Sequence, residues 1–168
     1  IRLPLGAQRF LAAFEGFEGG FAIGTSIVIA LSFTSHSKST LLLTAIISVV
    51  VSGFNTASVK YSSEHYLDQL DGREVRKPFK KYFAPAITEF VSYFAISFLT
   101  ILPLIFIQDI RLAVIYSAIS TLILLFAAGY WRAQMLQMPR LRDALETMFL
   151  GLGIMVVGVV SGLIVQAL

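Results

Sequence analysis

Residues 14–24 read FEGFEGGFAIG. Two glutamates, Glu15 and Glu18, open an apolar run that holds four glycines, Gly16, Gly19, Gly20 and Gly24. Where this segment sits decides the fold. The apolar part proper, FAIGTSIVIALSF at 21–33, is 13 residues long. At ~1.5 Å per residue it reaches about 20 Å, too short for a bilayer core of ~30 Å. Ser32 to Thr40 is polar and turn-like, so the helix cannot lengthen forward. It must lengthen backward through Glu18 and Glu15, to about Phe10, which takes both carboxylates into or near the membrane. Two alternatives stay open: a re-entrant segment, and a helix that starts later and leaves both glutamates among the headgroups.

The rest of the chain supports a membrane reading. It has 168 residues, 57% hydrophobic and only 14% charged, with a mean hydropathy of +0.80. A soluble domain is about 25% charged. Four further apolar runs, 41–59, 83–107, 112–130 and 148–168, each approach the ~20 residues of a spanning helix. The expected fold is therefore an all-α integral membrane protein of one domain, with spans near 10–33, 40–60, 84–107, 111–131 and 147–168. No secretory leader is visible, and the absence of a methionine at Ile1 suggests that residues precede it. There are no cysteines, hence no disulfide or thiolate site.

Lysine and arginine set the expected orientation. The N-terminus and the connections at 60–82 and 131–146 hold Arg2, Arg9, Lys60, Arg73, Arg76, Lys77, Lys80, Lys81, Arg132, Arg140 and Arg142. The other side holds Lys38 and Arg111. Basic residues collect on the cytoplasmic side, so the N-terminus is expected there and the C-terminus opposite. The net charge of +3 then reports topology, not nucleic-acid binding. Segment 60–82 reads as a short cytoplasmic continuation of the second helix, broken near Asp71-Gly72 and again at Pro78. Pro103 is expected to end or kink the third span.

Glu15 and Glu18, three residues apart, share a helix face. Intramembrane carboxylates usually face a bundle interior and mark an ion or proton path. Two close carboxylates repel unless a proton or a cation sits between them. This pair is therefore expected to hold a divalent metal and to exchange it for protons. Gly16, Gly20 and Gly24 form a doubled small-xxx-small stripe, which suits a dimer seam or tight packing within the chain. Gly158 and Gly162 repeat the spacing. Beyond the second span, Glu64, Asp68 and Asp71 recur at helical spacing with His65, and Glu74 follows. Carboxylates with one imidazole suit Mn²⁺, Fe²⁺ or Zn²⁺, although an ordinary solvated face has the same pattern. Asn55 and Thr56 offer neutral oxygens to a site in the membrane, or interhelical hydrogen bonds. Glu89 is a second intramembrane carboxylate for proton coupling, or else a partner of Lys80, Lys81 or Arg132. Met135 and Met138 are possible soft ligands. Tyr82, Tyr130 and Trp131 read as an interfacial belt, and Arg132, Arg140 and Arg142 as topology anchors. No constellation of catalytic residues appears, so an enzyme is not expected.

Taken together, the pattern resembles the vacuolar iron transporter (VIT) family, which has five spans and a cytoplasmic N-terminus. Glu18-Gly19-Gly20-Phe21-Ala22 is similar to the family's Asp-Gly motif in its first span, with Glu for Asp. Ser52-Gly53-Phe54-Asn55-Thr56-Ala57 followed by Lys60-Tyr61-Ser62-Ser63-Glu64 is similar in order and polarity to the end of its second span. The proline-containing run Leu99–Leu104 and the ending GYWRAQMLQMPRLRDALETMFLGLGIMVVGVVSGLI also follow the family layout. The resemblance implies a homodimer that moves Fe²⁺ or Mn²⁺ out of the cytosol in exchange for protons, with no resident cofactor. It implies that Glu18, or Glu15 one register away, takes the place of the family's membrane aspartate. Glu64, Asp68 and Asp71 would collect metal. The chain departs from the family at Ala57, where a methionine is expected, and at Lys60, where a glutamate is. Those departures leave the metal open. The membrane would be the plasma membrane in a prokaryote and that of a vacuole-like organelle in a eukaryote. A reading from another class is a non-transporting scaffold or accessory subunit that associates through its glycine faces.

Overall fold

Inside a bilayer every backbone N–H and C=O must be satisfied within the protein, which restricts a spanning chain of this composition to helices. The computed structural model, which describes residues 7–34, 37–72 and 79–168, has five such helices. They are α1 (Ala7–Ser32), α2 (Lys38–Leu70), α3 (Ala84–Phe106), α4 (Ile110–Leu136) and α5 (Arg140–Gln166). A π-helical turn, Phe79–Phe83, leads into α3. All five are long and apolar enough to cross a membrane. The glutamates of α1 lie inside its helix, as the length arithmetic required.

Local chemistry sets the ends. Ser37 caps α2 by accepting from the Thr40 N–H at 3.2 Å. Asp109 caps α4 by accepting from the N–H groups of Arg111 and Leu112. Gly72, at φ +65°, ends α2 in a conformation that suits glycine. The second break expected there, at Pro78, lies outside the described residues. Pro103 stays within α3, which ends a turn later where Ile107 donates to the Pro103 carbonyl at 2.8 Å. Lys38 closes that end by donating to the carbonyls of Ile105 and Ile107 at 3.1 and 3.0 Å. α5 starts at Arg140, well before the expected 147, because its first two turns bury Asp143, Ala144 and Thr147.

α1 is the central helix and touches the other four. Its glycine stripe explains the closeness. A Cβ on Gly16 would lie 2.3 Å from the Glu89 carbonyl oxygen, and one on Gly20 would lie 2.6 Å from that of Tyr93. Gly24 faces Ser97 and Thr100 of the same helix. The stripe expected to form a dimer seam at Gly16, Gly20 and Gly24 is therefore covered by α3 of the same chain. Gly158 and Gly162 likewise receive α1, at Ser26 and at Ala30 and Phe33. Gly16→Ala should cost about 1–3 kcal/mol, because the obstacle is backbone and the helices must separate. Thermal unfolding in detergent would test this, and an unchanged midpoint would contradict the packing.

Hydroxyls stitch the buried interior. Thr25 and Thr121 bond at 2.7 Å, Ser97 donates to the Gly20 carbonyl at 3.1 Å, and Ser117 donates to that of Thr100 at 2.7 Å. Interhelical bonds of this kind are a normal means of association in lipid. Around them Val28, Leu41, Ala45, Val49, Tyr93, Ile101, Leu104 and Ala113 form the main core. The outward faces of α2 and α5 expose Leu43, Ile47, Val51, Phe149, Val156 and Val157, as lipid-facing helices do. Trp131 and Tyr130 are exposed, in keeping with a belt. Tyr82 is not part of it: it is fully buried and donates to Asp68 at 2.7 Å.

Candidate ion site

The two glutamates of α1 do not share a site. Glu15 turns towards α2, where Lys60 donates to it. Glu18 turns towards α4, where Arg132 Nη1 donates to it. Three residues advance an α-helix by about 300°, so the pair can straddle the gap between two different neighbours. Each carboxylate has its own cation, so the structure does not bring Glu15 and Glu18, expected to hold a metal jointly, to one site.

Arg132 is the hub of the second pairing. Its Nε and Nη2 grip both oxygens of Asp143 at 3.0 Å each, and Nη2 also reaches the Thr147 hydroxyl at 3.1 Å. Such a two-toothed grip is the strong form of an arginine–carboxylate pair. It forms because α4 and α5 approach closely just before it: a Cβ on Gly129 would lie 2.9 Å from Ala144 Cα. Arg132 is thus more than a topology anchor, and it ties α1, α4 and α5 together. Asp143 was missed in the sequence. In the first turn of a helix, an aspartate looks like an ordinary complement to the helix dipole.

The first pairing belongs to a polar groove of about 430 Å³ between α1, α2 and α3. Glu15, Asn55, Thr56, Lys60, Ser63, Glu64 and Glu89 are among its walls. Lys60 bonds Glu15 and, one turn along its own helix, Glu64 at 3.2 Å. Glu89 is 3% exposed, and its Oε2 has no hydrogen-bond partner among the described residues. Glu64 Oε2 is likewise buried and unsatisfied. Two of the edge partners considered for Glu89 are taken up elsewhere: Arg132 holds Glu18 and Asp143, and Lys81 holds Asp68 at 2.5 Å. Asn55 is exposed at the groove, whereas the Thr56 hydroxyl donates to its own helix at the Ser52 carbonyl, 2.9 Å away.

The Tyr93 ring lies one turn beyond Glu89 on α3. It fills a slot left by two glycines, with a Cβ on Gly53 falling 2.7 Å from the ring and one on Gly19 at 3.3 Å. From α3, Tyr93 thus packs against both α1 and α2. Neither glycine signals this in the sequence, because the ring they accommodate comes from a different helix far along the chain.

The acidic run that follows the second span does not gather. Glu64 faces the groove. Asp68 is engaged by Tyr82 and Lys81, and Asp71 caps the end of α2. His65 packs in an aromatic cluster with Tyr61, Tyr66 and Tyr82, at ring separations of 5.0 to 5.8 Å. Glu74 lies outside the described residues. Among the described residues, no group of three or more His, Asp and Glu side chains is drawn together closely enough to hold a metal ion. Of the expected metal-collecting set, the structure thus places Glu64 at the groove and engages His65, Asp68 and Asp71 otherwise. Met135 packs beside Phe10 and Phe14, and Met138 is exposed.

A comparison with protein families matches residues 54–163 to the model described as the VIT family. No curated protein matches the chain.

Proposed function

The chain belongs to the VIT family, a family of membrane metal-ion transporters, and on that premise we propose that it exports a divalent metal, Fe²⁺ or Mn²⁺, from the cytosol in exchange for protons through the groove lined by Glu15, Glu64 and Glu89. One observation carries this reading: the Glu89 carboxylate is buried within a span, faces a polar groove and has an unsatisfied oxygen. A bare carboxylate in a low-dielectric interior is costly. It is relieved by a proton or by a cation, and these are alternative occupants of one site. That alternation is what an exchanger requires.

Glu15, Glu64 and Asn55 supply the hard oxygen atoms that Mn²⁺ and Fe²⁺ accept. By the positive-inside rule, the groove opens towards the cytosol, since it lies at the end bearing the N-terminus and the basic connection after α2. Glu18 is given a different duty, fastening α1 to α4 and α5. The homodimer implied by the family is retained in the proposal, but a second copy has to meet a surface other than the glycine stripe. The light-scattering mass of the detergent-solubilised protein tests it, and a single-chain mass would reject it.

The transport reading is tested with purified protein in proteoliposomes. Uptake of Mn²⁺, Fe²⁺, Co²⁺ and Zn²⁺ is compared while the internal pH is followed. The expected result is saturable uptake of Mn²⁺ or Fe²⁺ coupled to opposite proton movement. No flux of any of the four, with the protein folded, overturns the reading.

A further inference from the structure

We propose that the Lys60 ammonium is a tethered cation that occupies the empty groove in place of the transported metal and must be displaced for the metal to bind. The inference rests on the transport reading and adds to it a residue that sets which ions are accepted.

The groove holds three carboxylates from three helices: Glu15 of α1, Glu64 of α2 and Glu89 of α3. One positive side chain, Lys60, lines it with them. Lys60 is 12% exposed, and its Nζ bonds Glu15 and Glu64 together. These are oxygens that a metal bridging α1 and α2 would use. The ammonium therefore sits where such a metal would sit, while Glu89 Oε2 and Glu64 Oε2 remain unsatisfied beside it. A hard divalent ion coordinates several oxygens at short range. A lysine is a compact point charge on a flexible four-carbon stem, able to leave without moving the backbone.

The charges support the same conclusion. With every group ionised, three carboxylates and one ammonium leave the groove with two net negative charges. A divalent ion neutralises it if Lys60 withdraws from the carboxylate oxygens but stays within the groove. A single monovalent ion does not, and it must still compete with an ammonium paired to two carboxylates. Lys60 thus lowers the affinity for every cation but disfavours monovalent ions most. It also keeps the unloaded groove partly compensated, so that the empty carrier does not depend on solvent ions.

The experiment is a calorimetric titration of Mn²⁺ into the full-length protein in detergent, comparing wild type, Lys60→Gln and Lys60→Arg, with a thermal melt on each. Lys60→Gln is expected to bind Mn²⁺ about tenfold more tightly, and Lys60→Arg to stay within about threefold of wild type. A purely structural lysine would lower the melting midpoint on removal and leave Kd unchanged or weaker. That result, with wild type still binding Mn²⁺, overturns the inference and leaves the transport reading standing. If wild type neither binds nor transports metal, the transport reading falls and takes the inference with it, even where Lys60→Gln binds Mn²⁺. If neither binds, both fall. Should Lys60→Gln not fold, reductive methylation of the wild-type protein decides. Mn²⁺ is expected to raise labelling of Lys60 by freeing its ammonium, and unchanged labelling overturns the proposal.

Discussion

Replacing Arg132 with alanine is expected to destabilise the protein by about 3–5 kcal/mol, the usual cost of stripping one partner from a largely buried ionic cluster. The guanidinium is shared among Glu18, Asp143 and Thr147 and links three helices. Its removal leaves two carboxylates from α1 and α5 close together without a counter-charge. Part of the loss will also be packing, since the arginine stem fills space between helices. Arg132→Lys should recover only part, because an ammonium cannot reproduce the two-toothed grip on Asp143. Thermal unfolding in detergent, with the yield of monodisperse protein, measures both variants. A midpoint for Arg132→Ala equal to that of wild type would show that the cluster contributes little.

Glu89→Gln is expected to show the opposite balance of function and stability. Transport should fall at least about 100-fold, as befits removal of a charge that acts directly on the passing ion. The fold should be preserved or slightly stabilised. Wild type buries a carboxylate oxygen without a partner among the described residues, and an unsatisfied buried polar group costs about 1–3 kcal/mol, more if charged. Glutamine keeps the shape and removes the charge. A protein that gives up stability to hold a bare functional group should regain some when that group is neutralised. Uptake into proteoliposomes and a melt on the same preparation give both numbers. Wild-type uptake by Glu89→Gln would remove the groove from the ion path. Loss of both uptake and stability would mean that Glu89 holds the fold instead.

Sequence alone determined the number and class of the elements. Five apolar segments call for five helices, since lipid leaves few other ways to satisfy their backbones, and the short run at 21–33 led to the expectation that Glu15 and Glu18 lie in a helix reaching back to about Phe10. Asp71-Gly72 was legible as a stop because turn chemistry is local. The family layout was legible too, because it consists of spans, connections and short motifs in order. What the tertiary structure decided was pairing. The spacing of Glu15 and Glu18 suggested a shared site, yet Lys60 and Arg132, far away in the chain, divide them between two cations. The same four-residue glycine spacing suits a second copy or a neighbouring helix, and only packing shows that α3 covers it. Glu89 stood in the sequence as one carboxylate near several lysines and arginines; only the bundle shows that Arg132 and Lys81 turn to other carboxylates instead. Periodicity tells which residues share a face of one helix, but charge compensation depends on which faces meet, and that is a property of the assembled bundle.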